Sequence, residues 1–172
     1  MIKSYVDAER SSGLTFIIVG ALAMVVAAWG WQRGPFWWGA AWPLAAGALI
    51  QISVGITYWW RSPGNLQRVE HLAAQKPERI GQEEVPRVRA VLKSYAISLR
   101  IEIAVLAAGL ALLFFSPHGG AWQGAGMGLA VQAGLVLLMD ASAERRAQTY
   151  LRWLLGFMAN SAERRSKPGS TN

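Results

Sequence analysis

The chain has 172 residues, 53% of them hydrophobic and 16% charged, with nine Trp, no Cys and a formal net charge of +7. A soluble domain carries about 25% charged residues, and the deficit here is concentrated: Ser11 to Gln32, Gly34 to Trp60 and Ile103 to Met139 contain no charged residue. Apolar runs of 18 or more residues read as bilayer spans, so a soluble single-domain enzyme is excluded. The expected fold is all-α, an integral membrane four-helix bundle with helical extensions in the cytoplasm.

The first span is expected over about 14–31. Ala21-Leu-Ala23 matches a small-x-small cleavage pattern, but the apolar run continues past it and is longer than a signal-peptide core, so a retained helix is expected. Gly34-Pro35 turns the chain into a second span over about 36–60. Trp29, Trp31, Trp37, Trp38 and Trp42 cluster round this turn, while Trp59 and Trp60 mark the other end beside Arg61. Trp favours the headgroup layer, where its ring and its N–H are both accommodated.

Residues 61–95 form a polar connection opened by Ser62-Pro63-Gly64. Leu66, Val69, Leu72 and Ala73 recur at helical spacing, which predicts a short amphipathic helix before Lys76-Pro77. A second helix is expected to start near Glu83-Glu84-Val85-Pro86, where acidic residues and Pro suit a first turn. Ile103 to Phe115 would extend only about 20 Å against an apolar core of about 30 Å. The third span is therefore placed at about 96–115, which puts Arg100 and Glu102 inside the membrane. Ser116 to Gly120 turns the chain into the fourth span, about 121–139, and no breaker stops that helix before about Met158. Residues 1–160 thus form one membrane domain, and 161–172 are expected to be a disordered tail.

The two hairpin turns contain only Arg33, whereas the 61–95 connection holds seven Lys or Arg and the region from Arg145 to Lys167 six. The positive-inside bias puts both termini and the connection in the cytoplasm of a bacterial-type inner membrane. This placement also explains the net charge without nucleic acid, so membrane lipid is the expected partner together with a protein partner or a second copy of the chain. With no Cys, and with His71 and His118 outside the spans, no metal and no cofactor is expected.

Small residues spaced by four run along two spans. Gly120, Gly124 and Gly128, with Gly126, Ala130 and Gly134 beside them, mark the fourth. Gly39, Pro43, Gly47, Gln51 and Gly55 mark the second. Such rows let helix backbones approach closely, within one chain or between copies. The hairpins also look alike: Tyr5 and Arg10 precede the first span as Tyr95 and Arg100 precede the third, and Gly47 to Gln51 resembles Gly128 to Gln132. A parallel repeat and chance similarity of apolar helices both account for this.

Counted from the outer turns, Gln51, Glu102 and Gln132 fall within about 5 Å of one depth. A carboxyl there must find partners or be neutral, and a hydrogen-bonded Glu102–Gln51–Gln132 cluster is expected. It would serve either as a proton or ligand site or as glue between helices. Arg100 is expected to reach Asp140 by snorkelling, with Glu144 one turn further as another partner. No phosphate loop, nucleophile elbow or paired-carboxylate motif is present, and no enzymatic activity is expected.

The stretch Asp140-Ala-Ser-Ala-Glu144-Arg-Arg-Ala147-Gln-Thr-Tyr150-Leu151 resembles the ending of small four-span bacterial inner-membrane proteins, some of them of immunity-protein type, encoded beside secreted toxins. That family has no established catalytic residues to carry over. The resemblance implies a non-enzymatic protein that acts by binding another protein, such as an immunity protein against a membrane-acting toxin. The alternative reading is a small oligomeric transporter or channel built on the intramembrane polar residues.

Overall fold

The computed structural model describes residues 2–75 and 80–166, with side chains described over 10–60 and 82–159. Four helices carry the chain: α1 (Ile2–Gly30), α2 (Pro35–Gln75), α3 (Val85–Phe115) and α4 (Ala121–Ser166). A π-helical turn, Ile80–Glu84, leads into α3, where the missing N–H of Pro86 falls in a first turn that has no need of it. Each helix contains a segment long and apolar enough to cross a membrane: Arg10–Gly30, Pro35–Trp60, Gln82–Phe115 and Ala121–Ala159. By length and composition these four segments suit a multi-pass helical membrane protein. Outward faces carry Ile18, Leu22, Val25, Ile50, Phe114 and Phe115 exposed, an apolar surface that suits lipid rather than water.

Both hairpin turns depend on a glycine in the left-handed region, Gly34 at φ +107° and Gly119 at φ +73°. The second turn has a side-chain clasp that sequence reading did not identify. Gln123 accepts the Gly119 N–H (2.8 Å) and donates to the Leu113 carbonyl (3.3 Å), tying the start of α4 to the end of α3. Trp29, Trp31, Trp37, Trp38 and Trp42 gather at the first turn in edge-to-face pairs, including Trp29–Trp37 at 5.2 Å and Trp31–Trp42 at 5.3 Å. At the other end of these helices the Arg10 guanidinium lies 4.1 Å from the Trp59 ring, and Trp60 projects outward.

Packing follows the glycines. Gly13 and Gly20 of α1 meet Gly55 and Ala48 of α2. Gly39, Gly47, Gly124 and Gly128 join α2 to α4, against Ala121, Gln132, Phe36 and Ala40 respectively. Because these partner numbers rise together, α2 and α4 run parallel, as a parallel repeat would have them. The side chain of Tyr5, which belongs to that comparison, lies outside the described residues. Gly109 of α3 sits against Gly126 and Ala130 of α4 in antiparallel register. The order across the molecule is therefore α1, α2, α4, α3, with α4 holding the two hairpins together. Gly120, expected in this packing, instead belongs to the turn: its N–H donates to the Pro117 carbonyl and its carbonyl accepts from Gly124. It precedes α4, and the only atom a Cβ there would meet is the Pro117 carbonyl oxygen of the same turn.

Two other expectations change. Ser62-Pro63-Gly64 does not end the second helix, and α2 continues to Gln75. Proline removes a single N–H from the ladder, and the helical spacing from Leu66 to Ala73 carries the helix onward. The expected stop at Lys76-Pro77 lies outside the described residues. At the C-terminus, 161–166 are helical, because nothing after Met158 breaks the α4 pattern; residues 167–172 lie outside the described residues. Beyond the expected spans of 96–115 and 121–139, α3 and α4 remain packed through Val85, Val88, Tyr150 and Leu154. Glu84, fully buried, accepts from Arg87 Nε (3.0 Å) and Nη2 (2.6 Å), and Tyr150 Oη lies 3.4 Å from it.

Candidate functional site: a buried polar seam

On α3, Ser98 and Glu102 are one turn apart and share the face that carries Gly109. At 3.6 residues per turn Arg100 points about 200° away from Ser98. On α4, Gln132 and Asp140 lie within about 80° of each other, on the buried side that continues through Ala147, Tyr150 and Leu154. Gln51 occupies the corresponding buried side of α2. The sequence therefore turns five polar side chains inward, from three helices whose outer faces are apolar.

Register fixes their depth. Gly47 rests on Gln132, so Gln51 lies one turn further from the hairpin turns. Gly109 rests on Gly126 and Ala130, and counting back along antiparallel α3 brings Glu102 to about the same layer as Gln51. One turn beyond, Ser98 meets Asp140. From Gln132 to Asp140 the seam covers about 12 Å of helix axis. It continues toward the termini through a hydrogen bond between the Tyr58 and Tyr95 hydroxyls, 3.3 Å, which bridges α2 and α3.

All five residues are withdrawn from the surface: Gln51 is 1% exposed, Gln132 6%, Glu102 8% and Asp140 9%, and Ser98 is partly buried. The Ser98 hydroxyl lies 2.8 Å from Glu102 Oε1 and 3.1 Å from Asp140 Oδ2. A hydroxyl carries one hydrogen and donates one hydrogen bond. With both carboxylates ionised, one of these contacts would set oxygen lone pairs against each other. Both contacts are satisfied when one carboxyl bears a proton and donates to Ser98 while Ser98 donates to the other. The trio is thus arranged to hold one proton between two acids, with a hydroxyl through which the proton can exchange.

The structure buries Gln51, Glu102 and Gln132 as expected but does not join them. Both amide atoms of Gln51, both of Gln132 and Glu102 Oε2 have no hydrogen-bond partner among the described residues. The offset of one turn between the two glutamines, together with the bond from Glu102 to Ser98 on its own helix, replaces the expected cluster. An unpaired amide away from water costs about 1 to 3 kcal/mol, so these groups are expensive to keep. Their carbonyl oxygens and the free carboxyl oxygen are suitable ligands for a small cation or a proton-bearing group.

The expected bridge from Arg100 to Asp140 and Glu144 is also corrected. Arg100 is exposed on the outer face of α3, Asp140 is engaged by Ser98, and Glu144 accepts from Gln148 Nε2 at 3.0 Å. Helical phase decides this, because Arg100 cannot share a face with Ser98 and Glu102. Gly124, Gly128, Gly47 and Gly55 do make the close helix contacts expected of them. His118 is exposed in the second turn, and no group of three His, Asp or Glu placed to hold a metal occurs among the described residues. Sequence reading missed Ser98. Its spacing of four from Glu102, at the depth of Asp140, was the available signal.

Compared with protein-family models, curated proteins and solved structures, the chain matches none.

Proposed function

We propose that the protein is a small oligomeric transporter or channel that moves protons or a small cation through the seam formed by α2, α3 and α4. The observation that carries this reading is the Ser98 hydroxyl placed between the Glu102 and Asp140 carboxyls. Ionisable groups at membrane depth are costly and are by default functional, and a relay needs two exchanging sites. Asp140 supplies the second site that sequence reasoning did not pair with Glu102. The Lys and Arg distribution supports an inner-membrane placement with both termini cytoplasmic. Asp140 and the tyrosine pair then lie toward the cytoplasm, and Gln51 and Gln132 toward the membrane centre.

The partner-binding reading, including that of an immunity protein, rests on the resemblance carried by residues 140–151, with partner contact at the Trp29 to Trp42 turn or on the basic cytoplasmic surface. Asp140, Ala147 and Tyr150 in that stretch are buried against the chain itself, while Ser142, Arg145, Gln148 and Thr149 are exposed. Transport is preferred because it gives the paired carboxyls at Ser98 a role, and partner binding gives them none. The test is reconstitution in proteoliposomes carrying a pH-sensitive dye, with a potassium diffusion potential as the driving force. Wild type should acidify or alkalinise the lumen, and Glu102→Gln and Asp140→Asn should each reduce the rate at least tenfold. Fluxes equal to those of protein-free vesicles, or equal among all three proteins, would reject proton transport by this route.

A further inference from the structure

We infer that a cavity between α1 and α4 is a binding site for one phosphate-bearing anionic lipid. The cavity measures about 280 Å³ and lies apart from the seam, so the inference does not depend on ions passing there. Its walls change along the helix axes. Phe16 of α1 with Leu138 and Met139 of α4 form the end nearer the hairpin turns, and Ser12, Ser142 and Arg146 form the end nearer the termini. Because the two helices run antiparallel, both contribute apolar residues at one level and polar residues at the other. The polarity thus changes in one direction over about 12 Å, as it does along a lipid from its acyl chains to its headgroup.

The polar end offers positive charge with no acid lining it among the described residues. Arg146 Nη2 donates to Ser12 Oγ at 2.8 Å, and Arg146 makes no ion pair among the described residues. A guanidinium carries five N–H donors in a fixed fork, so one bond to Ser12 orients it and leaves others for two phosphate oxygens. The neighbouring hydroxyls do not compete: Thr15 donates to the Ser11 carbonyl and Ser142 to the Leu138 carbonyl, each within its own helix. An anionic phosphodiester without an amine suits this site. Phosphatidylcholine would place its own cation beside the guanidinium.

The test is native mass spectrometry of the full chain in mild detergent, titrated with phosphatidylglycerol or phosphatidylcholine of the same acyl chains. Wild type should retain one phosphatidylglycerol with about tenfold preference, because the choline cation of the other lipid would stand beside the guanidinium. Arg146→Gln should lose that preference. Ser142→Leu, which fills the cavity while keeping the charge, should lose the bound lipid, and thermal unfolding of both variants establishes that they fold. Equal retention of the two lipids by wild type, or retention unchanged in both folded variants, would overturn the inference. Displacement of the lipid by excess glycerol 3-phosphate would overturn it as well, by showing that the cavity takes the phosphate group without the lipid.

Discussion

Asp140 of α4 reaches across the helix interface to within 3.1 Å of the Ser98 hydroxyl on α3, the same hydroxyl that serves Glu102 one turn away. Two acids from different helices are thereby joined through one oxygen in a part of the molecule where acids are scarce. Removing that oxygen should expose the dependence. Ser98→Ala removes the hydroxyl that bridges the two carboxyls and should lower stability in detergent by about 1 to 3 kcal/mol. Ser98→Thr, which keeps the hydroxyl, should stay within about 1 kcal/mol of wild type. Thermal unfolding of the two variants measures the difference, and equal losses would show that the hydroxyl is not what matters.

The glutamines should separate stability from function. Gln51 and Gln132 bury amides that make no hydrogen bond among the described residues. Replacing such a group by an apolar one of similar size is neutral or stabilising. Gln51→Leu and Gln132→Leu should therefore unfold at or above the wild-type temperature, yet conduct more slowly in vesicles. Marked destabilisation of both would mean that the amides hold the bundle together instead.

The contact between α2 and α4 has no spare room. A Cβ at Gly128 would stand 2.6 Å from the Ala40 carbonyl oxygen, and one at Gly124 would collide with the Phe36 carbonyl. Gly124→Ala and Gly128→Ala should each force the hairpins apart, with a loss of at least about 2 kcal/mol. Gly134 has nothing within 4 Å of the corresponding position, so Gly134→Ala should be silent. Yield of monodisperse protein and its melting temperature decide between these outcomes.

Much of this architecture was legible in the sequence, since charge-free runs, glycine rows and Trp clusters act through length and composition alone. The turn at Gly34-Pro35 and the start of α3 near Glu84 required only local chemistry. The partners of the polar residues were not legible. Depth counted along each helix placed Glu102, Gln51 and Gln132 close together, but helical phase and a stagger of one turn directed Glu102 to Ser98 and Asp140. Arg100 failed for the same reason: a bridge judged by depth takes no account of the side of the helix from which it starts. Pro63 misled in another way, because a residue that ends many helices removes only one bond here.

Beyond the expected spans of 96–115 and 121–139, Glu84 anchors the packed ends of α3 and α4. It is fully buried and held by Nε and Nη2 of Arg87, which is 28% exposed. Glu84→Ala leaves that arginine without its acid and opens a hole beside Val88 and Tyr150. A loss of about 3 kcal/mol is expected, confined to this extension. Hydrogen exchange should quicken over 82–92 and 147–158 while the spans remain protected.

The central claim is that Glu102 and Asp140 share one proton through Ser98, and infrared difference spectroscopy of the protein in lipid tests it most directly. At neutral pH wild type should show one protonated carboxyl stretch per chain, shifted in heavy water. Glu102→Gln and Asp140→Asn should each abolish it, because neither remaining acid then has a partner with which to share. Absence of a protonated carboxyl band in wild type, or a band that survives in both variants, would contradict the account.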